Sequence, residues 1–254
     1  AAGQQLARRA SMSAGSSQTE RRVAMLAYHK VGEPPPGEYA TWNYVPTAIF
    51  ATHLRQLQDA GWQAIGLATL LRGLDDPDAL PARAALITFD DGYRSTLTEA
   101  LPWLQRLGWP GVVFVPTAYV GGWNTFDDGI EPREAICSWE ELRELQRGGV
   151  SVQAHGVHHR WFSSLSEAEI WAEVADAKRA LEAQLSTVVA TIAYPYGDDG
   201  GPSTQIETML ARAGYGAGFL YKGGCARVPV ADRYRVPRLA MGPDTDLPSY
   251  LEAR

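Results

Sequence analysis

Residues 85–92 of this chain read ALITFDDG, an uninterrupted apolar run that ends in two carboxylates and a glycine. A run of this length without polar alternation is typical of a parallel strand that is covered on both faces. A similar run stands at residues 111–115 (GVVFV), a further strand is predicted at 150–154 (VSVQA), and segments with helical spacing separate them. This alternation predicts an α/β protein built on parallel strands.

Three helices are predicted from their first residues and their apolar spacing. Residues 47–60 follow Pro46 and carry apolar side chains at helical spacing. Ser138 and Ser166 each stand three residues before a glutamate, which is the capping-box pattern of a helix start. Further strands are predicted at residues 23–28, 188–194, 215–221 and 235–241.

The number of elements favours a barrel. About seven strand–helix units in about 230 residues fit a distorted (β/α) barrel of parallel strands better than an open doubly wound sheet. The glycine fingerprint of a dinucleotide-binding unit is missing after the first strand. We expect one domain over residues 23–254 and interpret residues 1–22, which are small, polar and aperiodic, as a flexible leader or mature N-terminal tail. In such a barrel the chemistry collects on loops that follow the strands.

The composition excludes several classes of function. The chain has 254 residues, with 23 Lys and Arg against 29 Asp and Glu, and a net charge of −6. This acidic balance argues against nucleic acid as a partner. No apolar run reaches the roughly 18 residues needed to span a membrane. Cys137 and Cys225 are too few for a disulfide framework; we favour two small buried residues, with a single disulfide pair as the open alternative. The sequence leaves the oligomeric state unknown.

Asp90 and Asp91 directly follow the strand quoted first. A simple turn before Gly92 is the alternative explanation, but such a turn needs only one carboxylate. A carboxylate that binds a metal has lost most of its basicity, so a second one is required to take a proton from water. We therefore predict that Asp91 binds a metal ion and that Asp90 is the general base.

Residues 155–159 read HGVHH and contain three of the five histidines. His155 and His159, with Asp91, would give a metal two imidazoles and one carboxylate and leave positions open for water and substrate. His158 competes with His159, because spacing alone does not decide which of them points inward. We assign His53, which lies among polar neighbours in a predicted helix, to the surface.

Residues 194–197 read YPYG and follow another predicted strand. The backbone N–H of Tyr196 is a candidate donor to a developing oxyanion. A turn with aromatic packing would give the same pattern.

These motifs together resemble the polysaccharide deacetylases of the NodB-homology group, which remove acetyl groups from sugars. TFDD (88–91) is similar to the family's first motif, HGVHH (155–159) to its paired-histidine motif and YPYG (194–197) to the end of its third. The resemblance covers residues 23 to about 241. It implies the barrel fold and a metal-dependent deacetylase.

The chain departs from the family pattern at three places. Gly156 stands where Ser or Thr is usual, Ala193 stands in place of an arginine, and the late LxH motif has no counterpart. The segment AYHKV (27–31), however, resembles the rearranged branch of the PgaB/IcaB type, in which the acid histidine comes from the first strand. This resemblance implies His29 as the catalytic acid and Arg238 as the residue that orients Asp90.

The resemblance further implies a substrate, a metal and a location. The substrate is an N-acetylglucosamine polymer of the poly-β-1,6-linked type, and the cofactor is one divalent ion, zinc first, with nickel, cobalt or iron as alternatives. The implied location is exported, periplasmic or at the cell envelope. Trp123, Trp161 and Tyr194 are candidate sugar contacts, with packing as the alternative. Two other functions stay open: a glycan-binding module without catalysis, and a related hydrolase of non-peptide C–N bonds.

Overall fold

The computed structural model describes residues 21–37, 39, 41–202 and 205–252. Strands and helices alternate along these residues. The strands are β1 (Arg21–Tyr28), β2 (Lys30–Val31), β3 (Tyr44–Val45), β4 (Gln63–Ala64), β5 (Arg83–Phe89), β6 (Gly111–Val115), β7 (Val150–Ala154), β8 (Thr191–Ala193), β9 (Ala217–Phe219), β10 (Ala226–Val228) and β11 (Leu239–Ala240). The helices are α1 (Thr47–Asp59), α2 (Leu67–Asp75), α3 (Leu101–Leu107), α4 (Trp139–Arg147), α5 (Glu167–Leu185), α6 (Ile206–Ala213) and α7 (Leu247–Glu252).

One curled sheet carries the fold, in the strand order β10-β1-β5-β6-β7-β8-β9. Neighbours from β1 to β9 pair in parallel, and β10 pairs antiparallel with β1. β11 also pairs in parallel with β1, while Val236, just before β11, pairs with Phe219 of β9. The segment from Val236 to Ala240 therefore contacts both ends of the parallel set. The predicted distorted barrel of mostly parallel strands is confirmed.

The two faces of the sheet belong to two separate apolar clusters. Met25, Leu86 and Phe114 lie in the cluster that α2 completes, whereas the alternate residues of the same strands pack under the other helices. Side chains alternate between the faces of a strand, so the face that holds Met25 and Leu86 continues towards His29 and Asp90 just past the strand ends. The fold thus aims these two polar side chains at the same end of the curled sheet.

Most predicted elements are found, and the differences concern their ends. The strands at 111–115 and 150–154 match fully, and both serine capping boxes are formed. The last three predicted strands are shorter than expected, and residues 1–20 of the predicted leader lie outside the described residues. Residues 21 and 22 already belong to β1, two residues before the predicted start of this strand.

The prediction that His53 lies at the surface is wrong. Its side chain is buried on the inner side of α1, where its Nδ1 lies 3.2 Å from the hydroxyl oxygen of Tyr28. This hydrogen bond explains how a polar side chain is accommodated there. Burial lowers the pKa of His53 below its ordinary value.

Candidate active site

Parallel pairing brings the polar strand ends together. Tyr28 of β1 stands opposite Phe89 of β5, and the next backbone N–H, that of Asp90, donates to the Tyr28 carbonyl at 2.8 Å. In the same way the N–H of His155 donates to the carbonyl of Val115 at 3.1 Å. The carboxyl ends of parallel strands share one edge of the sheet, and this edge collects the predicted site residues.

Asp91, His155 and His159 form a buried group that could hold a metal ion. One ligand atom from each lies within 4.8 Å of the others. Nε2 of His155 and Nε2 of His159 lie 3.2 and 3.0 Å from Oδ1 of Asp91, yet this buried oxygen makes no well-formed hydrogen bond. Three converging donor atoms that leave a buried oxygen unsatisfied fit a divalent cation better than a hydrogen-bond network.

The orientation of His155 is fixed from behind. Its Nδ1 donates to the carbonyl oxygen of Ala193 at 2.8 Å, so Nε2 carries the lone pair and faces Asp91. Such a backbone partner is the usual device that sets the tautomer of a metal-binding histidine. Although burial alone would lower the pKa of His155, the adjacent carboxylates of Asp91 and Asp90 raise it.

The structure distinguishes His158 from His159. His158 points away from the group, with 60% of its side chain exposed and its Nδ1 donating to Glu173 at 2.8 Å. The other carboxylate oxygen of Glu173 accepts the backbone N–H groups of Val157 and His158 at 2.6 and 2.8 Å. These three hydrogen bonds to Glu173 hold the loop so that His159, at a left-handed φ of 52°, points inward.

Gly156 leaves room for the Glu173 carboxylate that holds this loop. Its φ is +73°, and a Cβ at this position would stand 3.0 Å from Oε2 of Glu173. The departure from Ser or Thr therefore has a local cause, since Glu173 occupies the space that a side chain would need.

Asp90 is held separately from the metal-type group. The Arg238 guanidinium donates to both of its carboxylate oxygens at 2.7 Å, in a bidentate pair buried from solvent. Arg238 also donates to the Thr88 hydroxyl at 3.0 Å and to the Leu220 carbonyl at 2.9 Å. Burial alone would raise the pKa of Asp90, but the charge and hydrogen bonds of Arg238 outweigh it and lower the pKa.

His29 lies beside the group but outside it. Its Nε2 is 3.9 Å from Oδ2 of Asp91, and its ring meets Tyr221 edge-on at 4.9 Å between ring centroids. Its Nδ1 is buried without a hydrogen-bond partner. Burial lowers the pKa of His29, while the carboxylates of Asp91 and Asp90 act in the opposite direction.

The aromatic candidates separate into exposed and buried ones. Trp161 is half exposed and stacks on Tyr196 with 4.2 Å between ring centroids and 3° between planes. Tyr196 in turn meets His159 edge-on at 4.5 Å, so the stacked pair borders the site. Trp123 is also half exposed. Tyr194 is fully buried and donates its hydroxyl to the Tyr234 carbonyl, so the prediction that it contacts substrate is wrong.

Backbone strain concentrates at this edge of the sheet. Among the described residues, the non-glycine positions with positive φ are Asp91, His159, Tyr196 and Ser186. The first three border the site, and the fourth caps the end of α5. Left-handed conformations of such residues are unfavourable and cluster where the surrounding fold enforces them for function.

Glu173 was missed by the sequence analysis. It stands one residue before Val174 on the apolar stripe of α5, and only 4% of its side chain is exposed. A carboxylate on the buried face of a helix is a signal in itself, because it requires partners there. Those partners are the backbone amides of Val157 and His158, and the sequence does not show that they lie next to Glu173.

Comparisons with known proteins identify the family of the chain. The sequence model of the polysaccharide deacetylase family matches residues 78–218, more than half of the chain. The protein belongs to the polysaccharide deacetylase family.

The poly-β-1,6-N-acetyl-D-glucosamine N-deacetylase of Escherichia coli K12 is 24% identical over 244 residues, covering 82% of this chain and 35% of that protein. The chain therefore spans about a third of the length of that relative.

Solved structures show the same fold. The Streptococcus pyogenes deacetylase PplD, in complex with acetate, superposes with a TM-score of 0.77 at 21% identity, over 92% of this chain and all of that one. IcaB from Ammonifex degensii has a TM-score of 0.74 at 25% identity, over 92% of this chain and 98% of that one. Within the part of the chain that the structure describes, no helix is long and apolar enough to cross a bilayer.

Proposed function

We propose that the protein is a metal-dependent hydrolase that removes N-acetyl groups from an N-acetylglucosamine polymer. The observation that carries the proposal is the division of the two adjacent carboxylates. Asp91 faces two imidazoles, whereas Asp90 is withheld from them by Arg238. One carboxylate is thus available to a cation and the other to a proton, as hydrolysis requires.

Asp91, His155 and His159 would hold the metal. A divalent ion there supplies a Lewis acid for the acetyl carbonyl and lowers the pKa of water. Zinc suits a set of two imidazoles and one carboxylate, and nickel, cobalt or iron accept the same donors.

The remaining steps belong to the chain's own residues. Asp90, kept ionised by Arg238, takes a proton from the attacking water as its oxygen bonds to the acetyl carbon. The Tyr196 backbone N–H lies in the strained loop beside His159 and would donate to the oxyanion. As the C–N bond breaks, His29 delivers a proton to nitrogen. The products are acetate and the free amine of glucosamine.

The placement of His29 supports its role as the acid. Its Nε2 stays 3.9 Å from Oδ2 of Asp91, and Asp90 is paired with Arg238 instead. It is also outside the group that could hold a metal. Burial lowers the pKa of His29, and the carboxylates of Asp91 and Asp90 offset this effect only in part.

The substrate assignment follows from the relatives and from the site's aromatic border. The E. coli relative is named for poly-β-1,6-N-acetyl-D-glucosamine, and we extend that substrate to this chain. Trp161, stacked on Tyr196, and Trp123 offer flat surfaces to a sugar ring. An exported, periplasmic or cell-envelope location goes with such a polymer.

Acetate release from β-1,6-linked N-acetylglucosamine oligomers tests the proposal. We expect release by the metal-loaded protein and none after chelation. Asp90→Asn should keep the metal and lower turnover by at least ~10²-fold. Asp78→Asn is the matched control, since this surface aspartate is 71% exposed.

His29→Gln should lower turnover far more than metal content. Equal loss of metal and turnover would make His29 a ligand. Full activity of Asp90→Asn would exclude it as the base. Oligomer binding without acetate release would favour the binding-module alternative.

A further inference from the structure

A cavity of about 560 Å³ adjoins the candidate active site. Tyr221 belongs to both, because it lines the cavity and its ring meets His29 edge-on. The volume lies within the range of roughly 300–1,000 Å³ that is usual for ligand pockets. The side chains that line it include Trp42, Tyr221, Lys222, Asp244, Asp246 and Tyr250.

Trp42 is fixed as a flat wall of this cavity. Its Nε1 donates to Oδ1 of Asp244 at 2.8 Å. Its ring lies so close to Gly242 that a Cβ there would stand 2.3 Å from the indole, so the glycine is required for this contact. The side chain nevertheless remains 43% exposed. One part of the ring is therefore packed against backbone, and the rest is presented to the cavity in a fixed orientation.

The rim of the cavity is polar. The carboxylates of Asp244 and Asp246 supply hydrogen-bond acceptors, and Lys222 supplies a donor. Asp246 is held by the hydroxyl of Ser249 at 2.5 Å. The fixed indole ring of Trp42, with hydrogen-bond acceptors and a donor around it, is complementary to a pyranose ring, which has an apolar C–H face and hydroxyl groups around its edge.

The position of the cavity decides which sugar it takes. A polymer whose acetamide lies between Asp90 and His29 must continue away from that point in both directions. Trp161 and Tyr196 border the site next to His159. Tyr221 contacts His29 and also lines the cavity. A polymer that continues past His29 would therefore reach the cavity.

We propose that the cavity next to Tyr221 binds the sugar residue adjacent to the one that loses its acetyl group, with the pyranose ring on Trp42 and its hydroxyls at Asp244 and Asp246. The proposal rests on the proposed function and assigns a second subsite to it. The enzyme then recognises an oligomer rather than a single sugar.

The test compares Trp42→Ala and Trp42→Phe on three substrates: N-acetylglucosamine, its β-1,6-linked pentamer and a small chromogenic acetate ester. Trp42→Ala should raise KM for the pentamer about tenfold and leave kcat and ester hydrolysis unchanged, since one stacked ring is lost. Trp42→Phe, which keeps a flat ring, should stay within about threefold of the original KM. Trp103→Ala removes a half-buried tryptophan of α3 and serves as the control, with no change expected.

Equal losses on the ester and the pentamer would overturn the proposal, because Trp42 would then only support the catalytic centre. An unchanged pentamer KM would overturn it as well. If the unaltered protein releases no acetate from any glycan, the proposed function fails, and calorimetric binding of the pentamer decides about the subsite. Binding that Trp42→Ala weakens supports the subsite, and binding that is absent or equal in both proteins refutes it.

Discussion

Replacing Arg238 by methionine tests how Asp90 is kept ionised inside the protein. Both side chains are buried, with 0% and 2% of the residue exposed, and two contacts of 2.7 Å join them. Methionine has a similar length but removes the charge and every donor. The Asp90 carboxylate would then be buried without its partner.

The expected loss of stability is large and depends on pH. Removing one partner of a buried ion pair costs about 3–5 kcal/mol. For a chain of this size the melting temperature falls by ~2–4 °C per kcal/mol, so we expect a drop of ~6–20 °C at neutral pH. In the original protein the pKa of Asp90 is lowered, so its stabilisation is present above the ordinary carboxyl pKa and is lost as pH falls through the lower folded value.

In Arg238→Met the sign reverses, because burial alone raises the pKa of Asp90. The penalty is then present at neutral pH and disappears when the carboxyl is protonated. The difference in melting temperature between the two proteins should therefore shrink from pH 7 to pH 4. Thermal unfolding followed by circular dichroism, with chelator present throughout, measures it. An equal difference at both pH values would refute the reasoning.

The double variant Arg238→Met with Asp90→Asn provides the control. It removes the unpaired charge, so it should recover more than half of the stability lost in the single variant. No recovery would mean that the loss comes from packing around the methionine.

Two further changes probe the surroundings of the site. Glu173→Gln keeps the shape of the side chain but weakens its hydrogen bonds to the Val157 and His158 amides. Metal affinity should therefore fall ~10–100-fold in a chelator competition titration. Unchanged affinity would show that the loop keeps its conformation without the Glu173 charge. Ser166→Ala removes the cap that accepts the Glu169 N–H, so the free energy of unfolding in urea should fall by about 1 kcal/mol while activity stays unchanged. A parallel loss of activity would mean that α5 transmits strain to the site.

The sequence predicts the central strands well, and its errors have physical causes. Residues 111–115 form an apolar run that is buried throughout, so the run and the strand coincide, and in the strand at 150–154 only Ser151 is partly exposed. The prediction at 188–194 is too long, because the apolar residues continue through the approach to β8 while the ladder includes only Thr191–Ala193. His53 was misplaced because its polar neighbours in sequence say nothing about which face of α1 is covered.

The candidate site is predictable only as far as its topology. Asp91 and His155 meet because parallel strands end at one edge, which their sequence already indicates. The choice between His158 and His159 depends on the backbone turn around Glu173, which spacing does not contain. Arg238 is 148 residues from Asp90, and family resemblance rather than any local pattern pointed to it.

The segment from Val236 to Ala240 joins the two ends of the parallel set and carries Arg238. During synthesis the ribosome releases this segment after every other parallel strand. Until this segment docks, β1 and β9 keep unpaired backbone groups, and Asp90 lacks the Arg238 guanidinium. The docking of this segment therefore completes the sheet and pairs Asp90 with Arg238 in the same late step. A chain interrupted before Val236 would contain the aspartate and histidine motifs but would lack the arginine that holds Asp90.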